Sequence, residues 1–382
     1  MFEFLYALIG SEFFHGNNIY VIALMIVLLI NRKFIIRIDK MWLLLAVTGI
    51  TYAVIYQYNM GTMGLATIMT RIISPLLLYL VGLNTVCYMS SKIKTYWLII
   101  SFASFAHCFA NTIKNRSINI LSIEGRMLSD IYGGEITATL QNLGFIFVCG
   151  LLFYACFVER KKYIRIAIIA AVICSAIGSV LTASRTVLYF IVVCFCFSLI
   201  LFLKLNSNKR KKTNILAMII FAVIVMISAV WVNAFGINDR LMSTALGIRL
   251  NVNGTSGVFD NLRWEYARSI IEMIPLYPMG NIPYPHYAHN FWLDVAKETG
   301  IIPFVGYVLF YVISVVHIVR SIKNKVFDDE MKQFLIPFLL AFSVALFTEP
   351  IMQGTPFIFS LFALYVGMIS GYTSKKKFEN YE

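Results

Sequence analysis

Residues 166–203 carry the sequence IAIIAAVICSAIGSVL-TASR-TVLYFIVVCFCFSLILFL, in which two long apolar runs are separated by the four residues Thr182 to Arg185. An α-helix of about 18 apolar residues crosses the roughly 30 Å hydrocarbon layer of a bilayer. A helix also satisfies all of its backbone hydrogen bonds internally, which a lipid environment requires. This stretch therefore predicts two adjacent transmembrane helices joined by a tight turn.

The same pattern extends along the whole chain of 382 residues, of which 59% are hydrophobic and 13% charged. Soluble proteins carry roughly a quarter charged residues. We therefore predict an all-α integral membrane protein with about eleven transmembrane helices and an ordered outer cap formed by a helical loop. The predicted spans are 13–31, 41–58, 68–89, 95–111, 136–157, 164–181, 186–204, 214–234, 301–319, 333–349 and 355–372.

The net charge of +13 arises from basic clusters between the apolar runs, which favours a role in membrane orientation over nucleic-acid binding. If each predicted span is crossed once, the clusters fall in alternate loops. The positive-inside rule then places the N-terminus outside and the C-terminus inside. The clusters are Asn31 to Lys40, Ser91 to Lys94, Glu159 to Arg165, Lys204 to Lys212, Arg320 to Lys325 and Lys375 to Lys377.

The longest region without a predicted span, Ala234 to Gly300, then lies outside. Its aromatic content is too high for a disordered linker, and long loops in compact proteins are often functional. We treat residues 1–382 as one membrane domain whose outer loop, 235–300, carries the predicted active site. The aromatic residues considered are Trp264, Tyr266, Tyr277, Tyr284, Tyr287 and Trp292.

Arginine residues are the first candidates for ligand binding in the outer segments. Arg185, in its tight turn, either extends to lipid headgroups or uses its guanidinium fork to bind phosphate oxygens. The segment Asp260 to Glu272 predicts an amphipathic helix, on which Arg268 pairs with a neighbouring acid. Arg263 lacks an acid three or four residues ahead, although Asp260, three residues before it, is an alternative, structural partner. It is therefore the arginine of this helix that we predict to bind a ligand.

His289 is the candidate general base, because it precedes a predicted short helix that is capped by Asn290 and ends at Gly300. The positive end of the helix dipole favours the neutral imidazole that a base requires. The alternative is a histidine that only hydrogen-bonds in the cap. His286, three residues earlier, is a possible helper or a loop residue.

Other chemistries find little support in this segment. Asp294 and Glu298 share a helical face next to Lys297, which predicts a solvated face. Neither a metal-ligand cluster nor a glycine-rich nucleotide loop is present in the sequence. We predict no metal and no cofactor.

Taken together, these motifs resemble those of the O-antigen polymerase and O-antigen ligase family. The resemblance lies in an outer Ser-Arg turn, a later Arg-Trp-x-x-Ala helix, and His-Asn-x-x-Leu-x-x-x-x-Glu-x-Gly before a hydrophobic span. In this chain the elements are Ser184-Arg185, Arg263-Trp264 with Ala267, and His289-Asn290 with Leu293, Glu298 and Gly300.

The resemblance implies a multi-pass glycosyltransferase of the bacterial inner membrane, active on its outer face. Its donor would be a glycan on undecaprenyl diphosphate, its acceptor a second glycan, and a chain-length regulator protein a further partner. Arg185 and Arg263 would bind the diphosphate, and His289 would deprotonate the acceptor. Trp264, Asn290 and His286 complete the predicted substrate-binding set.

Three functions stay open at this point. A polymerase joins one lipid-linked glycan to another, whereas a ligase transfers the finished glycan to the lipid A core. Both use the same arginines and base, and we favour the polymerase of O-antigen or capsule repeat units. A lipid-linked glycan flippase is the alternative of another class, because Arg71 lies within a predicted span, where ionisable residues often mark a substrate path.

Overall fold

The computed structural model describes residues 1–12, 19–61, 63–89, 92–115, 127–205, 208–231, 239, 242–244, 261–324 and 326–379. About 80% of it is helical, which confirms the all-α class. One small antiparallel hairpin pairs β1 (Met127–Ser129) with β2 (Glu135–Thr137). The helices are α1 (Phe2–Gly10), α2 (Ile19–Asn31), α3 (Lys40–Met60), α4 (Leu65–Tyr88), α5 (Ile93–Lys114), α6 (Asn142–Phe157), α7 (Lys162–Leu181), α8 (Arg185–Leu205), α9 (Lys209–Trp231), α10 (Asn261–Met273), α11 (Phe291–Thr299), α12 (Ile301–Lys323), α13 (Asp329–Thr348) and α14 (Pro356–Glu379).

Eight of these helices are long and apolar enough to cross a membrane, namely α3, α4, α5, α7, α8, α12, α13 and α14. Each overlaps one predicted span. The other three predicted spans overlap α2, α6 and α9, whose apolar stretches are shorter: Ile19–Asn31, Asn142–Phe157 and Lys212–Phe221. The structure therefore supports a multi-pass membrane protein, while the count of about eleven spans stays a prediction.

Two segments differ from the sequence-based prediction. Helix α1 was not predicted, because nine residues are too short to cross a bilayer. It packs on α5, where the Ser104 hydroxyl donates to the carbonyl of Gly10 at 2.7 Å. The predicted span 136–157 starts instead as strand β2, continues as a short helix, Ala138–Gln141, and forms the apolar helix α6 from Asn142. Residues 145–149 are almost fully buried, so this helix lies in the protein core.

The centre of the bundle is the pair α4 and α14, which pack against each other along much of their length. Gly367 and Gly371 form a small-xxx-small pattern on α14, and a Cβ at Gly367 would overlap the carbonyl oxygen of Tyr79. Small residues allow close approach of helix backbones, which is how helices commonly associate within membranes. The core therefore depends on these glycines as well as on apolar side chains.

Lys94, from one of the predicted basic clusters, lies at the start of α5 and marks one end of the bundle, which we call the basic end. There the Lys94 ammonium contacts Glu159 and Glu330, each at 2.8 Å, and joins the start of α5 to the start of α13. At the opposite end, which we call the loop end, α3 and α13 terminate and α8 begins. Helices α10 and α11 lie at the loop end, because the Asn59 amide near the end of α3 donates to the carbonyls of Met279 and Glu298.

This arrangement leads to a labelling prediction. In a variant without its seven native cysteines, Glu272→Cys at the loop end should react with an impermeant thiol reagent in intact cells, and Ser374→Cys at the basic end should not. The physical reason is the retention of Lys- and Arg-rich loops in the cytoplasm. If only the Ser374→Cys variant reacted, the orientation of the protein in the membrane would be the opposite of the one predicted.

Candidate functional site

Helix α11 forms as its sequence predicts. The Asn290 side chain caps it by accepting hydrogen bonds from the backbone N–H groups of Trp292 and Leu293, at 3.0 and 3.2 Å. Gly300 ends it with a φ of +77°, a left-handed conformation that suits glycine. The carbonyl of Pro278 accepts from the N–H of Ile301 at 2.9 Å and crowds this position, so a side chain at Gly300 would not fit. The predicted cap and stop of this helix are thus both confirmed.

His289 lies immediately before the cap and is half-buried. Its φ of +52° places it in the left-handed region, which is uncommon for residues other than glycine. The next residue, Asn290, donates its amide to the carbonyl of Phe347 at 3.1 Å. The base candidate is therefore fixed beside the C-terminal end of α13.

Arg185 reaches the same end of α13 from another direction. It is the first residue of α8, after a turn whose Thr182 and Ser184 side chains are buried. Its neighbour Thr186 approaches the carboxylate of Glu349, with a hydroxyl-to-oxygen distance of 3.4 Å. Glu349 follows the last residue of α13. The structure therefore brings the neighbours of Arg185 and His289, Thr186 and Asn290, to one helix end, although 104 positions separate Arg185 and His289 in the sequence.

The other predicted site residues lie on α10 and in the loop that follows it. The backbone of Arg263 is in the first turn of α10, and its side chain lies outside the described part of the structure. Trp264, the next residue, is exposed. The ring of His286 stacks on Tyr266 with centroids 4.6 Å apart, which ties the loop to α10. Trp264 therefore remains available as a stacking surface, whereas His286 is engaged with a protein ring.

The predicted amphipathic helix is confirmed as α10. Ile270 is fully buried on its inner face. On its outer face the Arg268 guanidinium pairs with Glu272 at 2.8 Å, and both side chains are exposed. Arg268 is thus the surface ion-pair residue that the spacing predicts.

The prediction of a solvated face on α11 is wrong. Asp294, Lys297 and Glu298 are all buried, with no more than 8% of any of them exposed. The reason is tertiary: α11 lies among the ends of α3, α12 and α13 and under the loop after α10, so no side of it faces water. The Lys297 ammonium donates to the carbonyl of His286 at 3.0 Å and lies over the ring of Tyr287.

Burial has an electrostatic consequence at Asp294. Removal from water raises the pKa of this carboxyl to about 7, and the nearby Glu298 adds to the effect. Hydrogen bonds from the N–H groups of Ala288 and Asn290, together with Lys297, act in the opposite direction. Asp294 therefore titrates close to neutral pH, next to the residue that we predict to be the base.

A buried charge cluster that the sequence analysis did not assemble joins α11 to α3 and α4. Arg71 donates to the Tyr52 hydroxyl at 2.7 Å, and that hydroxyl donates to the carboxylate of Glu298 at 2.8 Å. Arg71 and Glu298 are also 3.3 Å apart, and both side chains are largely buried. Arg71 sits in a π-helical turn, because Pro75 has no N–H to offer to the carbonyl four residues before it. The only signal in the sequence was an arginine inside an apolar span.

A second polar cluster lies under the β-hairpin. His107 is buried, and its Nε2 is 2.9 Å from the carboxylate of Asp130. Asn111 donates to the same carboxylate oxygen at 2.9 Å. Burial opposes ionisation of Asp130, yet the hydrogen bonds from His107, the N–H of Tyr132 and Asn111 lower its pKa to about 2. This cluster fixes the hairpin to α5.

Within the described residues, no group of three or more His, Cys, Asp or Glu side chains lies close enough to hold a metal ion. No protein-family model matches the chain, and no curated protein matches it in sequence.

Proposed function

We propose that this protein is a membrane glycosyltransferase that polymerises oligosaccharide repeat units carried on undecaprenyl diphosphate. The observation that supports this most is that Thr186 and Asn290, the sequence neighbours of Arg185 and His289, both contact the C-terminal end of α13. A cation that suits a diphosphate and an imidazole that suits a hydroxyl proton are the two groups required for transfer from a lipid diphosphate.

In the proposed reaction, the oxygen of an acceptor sugar hydroxyl attacks the anomeric carbon of the donor. The bond between that carbon and the diphosphate oxygen breaks, and undecaprenyl diphosphate leaves with the electron pair. His289 accepts the hydroxyl proton. Arg185 and Arg263 stabilise the negative charge that grows on the diphosphate, as preorganised cations do where charge develops. A single displacement of this kind inverts the anomeric configuration.

The proposed active face is the outer one, because the basic clusters lie at the other end of the bundle. Nucleotide sugars are confined to the cytoplasm. An outward-facing transferase therefore uses a donor that has already crossed the membrane on a lipid, which agrees with the undecaprenyl diphosphate carrier that the family resemblance implies.

Arg71, which raised the possibility of a flippase, has a structural explanation in its pairing with Tyr52 and Glu298. Its position within a span thus gives little support for a transport path. The enzyme is the better proposal.

The glycan profile of a deletion strain tests the function. Single repeat units on the final carrier would indicate a lost polymerase, and long chains retained on undecaprenyl diphosphate would indicate a lost ligase. Repeat units confined to the inner leaflet would identify a flippase instead, and an unchanged profile would refute all three functions.

The roles of the two arginines lead to a further prediction. Arg185→Lys and Arg263→Lys should each lose most of the activity while the protein remains inserted, because lysine offers a point charge where a diphosphate requires a two-pronged donor. Chain elongation by membranes that contain each variant is the measurement.

Arg268→Lys is the matched control, since that guanidinium pairs with Glu272 at the surface of α10. We expect near-normal elongation from it. Near-normal elongation by both Arg185→Lys and Arg263→Lys would remove the support for diphosphate binding by guanidinium groups.

A further inference from the structure

The carboxylate of Asp294 makes an unusual pair of contacts with the segment before α11. One oxygen accepts the backbone N–H of Ala288 at 2.7 Å, and the other accepts that of Asn290 at 3.2 Å. These two residues lie immediately before and after His289. Asp294 itself has no exposed surface.

The residue between the two contacts has the least favourable backbone conformation of this segment. With a φ of +52°, His289 lies in the left-handed region, which non-glycine residues hold only where the surrounding structure enforces it. The contacts of Asp294 act on both sides of this strained residue. They are therefore well placed to enforce its conformation.

Capping of α11 accounts for only part of this arrangement: the contact with the N–H of Asn290 is of the capping-box type, whereas the shorter contact with the N–H of Ala288 lies two residues before the cap and outside that motif. The Asn290 side chain already satisfies the N–H groups of Trp292 and Leu293. A surface residue would suffice for a favourable charge near a helix N-terminus, whereas Asp294 is fully buried despite the unfavourable transfer of a carboxylate from water.

We propose that Asp294 is a positioning residue whose carboxylate holds His289 in its left-handed conformation and so fixes the imidazole at the loop end. Its importance for catalysis rests on the proposed transferase function. The effect of Asp294 on the backbone conformation of His289 does not depend on that function.

Asp294→Asn is the most direct test, because it keeps the size of the side chain but leaves one oxygen to accept hydrogen bonds. One of the two backbone contacts is then lost. In transfer assays with a purified lipid-linked glycan, we expect kcat to fall between about tenfold and a hundredfold with little change in KM, as displaced catalytic groups do. Asp328→Asn is the matched control. Asp328 caps α13 at the basic end with one hydrogen bond, to the N–H of Met331, which an amide oxygen can also accept.

A second measurement does not depend on activity. Diethylpyrocarbonate labels accessible imidazoles, and mass spectrometry can report the labelling of His289 relative to that of the exposed His286 in the same molecule. Asp294→Asn should change this ratio several-fold, whereas Asp328→Asn should leave it unchanged. If the wild-type protein transfers no glycan, the proposed function fails, and the labelling ratio still decides the role of Asp294.

The double mutant Asp294→Asn with His289→Gly distinguishes positioning of His289 from general stabilisation. It does so even if Asp294→Asn alone folds poorly. Glycine adopts positive φ without strain. The decrease in melting temperature caused by Asp294→Asn should therefore be smaller in the His289→Gly background than in the wild-type background. An equal loss in both backgrounds, with an unchanged labelling ratio in Asp294→Asn, would show that Asp294 only stabilises the helix and would overturn the proposal.

Discussion

His289→Gln should abolish glycan transfer and leave the protein folded in the membrane. Loss of a general base typically lowers the rate by about 10²- to 10⁴-fold, whereas loss of a capping hydrogen bond lowers stability by only about 1 kcal/mol. The structure assigns the cap of α11 to Asn290, so the substitution leaves that cap in place. The assay is transfer of a purified lipid-linked glycan by the reconstituted protein.

The left-handed backbone at position 289 calls for a second variant. Asn tolerates positive φ better than Gln does, so His289→Asn separates loss of the imidazole from backbone strain. Both variants should be inactive. His286→Gln should be milder than His289→Gln, because His286 stacks on Tyr266 and shapes the loop after α10.

The same assay tests the proposed absence of a metal. In the proposed scheme arginines stabilise the leaving diphosphate, so a chelator should not lower the rate. Loss of activity with chelator would assign that role to a cation.

Full activity of His289→Gln would remove the histidine from the mechanism.

Most of the fold follows from hydropathy, because an apolar run of about 18 residues has few alternatives to a membrane helix. In two segments, length and hydropathy do not determine the structure. Helix α1 is too short to register as a span. The start of the predicted span 136–157 forms strand β2, where pairing with β1 prevails over the apolar pattern.

In the candidate site, features set by nearby residues could be predicted from the sequence, whereas features set by tertiary packing could not. The cap at Asn290, the stop at Gly300 and the ion pair of Arg268 depend on residues close in sequence, and all were predicted. The burial of Asp294 and Glu298 was not, because periodicity shows which residues share a face and does not show what covers it. Contacts such as that between Tyr52 and Glu298 depend on the packing of α3 against α11.

Loss of one partner of the buried pair Arg71 and Glu298 should strongly destabilise the protein. Removing one partner leaves an uncompensated buried charge, which typically costs about 3–5 kcal/mol. Arg71→Met or Glu298→Gln alone should therefore lower the free energy of unfolding by an amount of that order. Both side chains are at least 87% buried, so solvent screens the pair weakly. Unfolding in mixed detergent micelles is the measurement.

The double mutant distinguishes a coupled pair from two independent losses. Arg71→Met combined with Glu298→Gln leaves no charge behind, so it should be more stable than the sum of the single effects indicates, with a coupling energy of about 0.5–3 kcal/mol. Arg268→Met with Glu272→Gln is the matched control, because that pair is exposed on α10 and is expected to contribute only about 0.3–0.5 kcal/mol. Additive effects of the Arg71 and Glu298 substitutions would mean that the ion pair does not hold α11 against α4. The site would then depend on the hydrogen bonds from the Asn59 side-chain amide and on the packing of α12 for its position at the loop end.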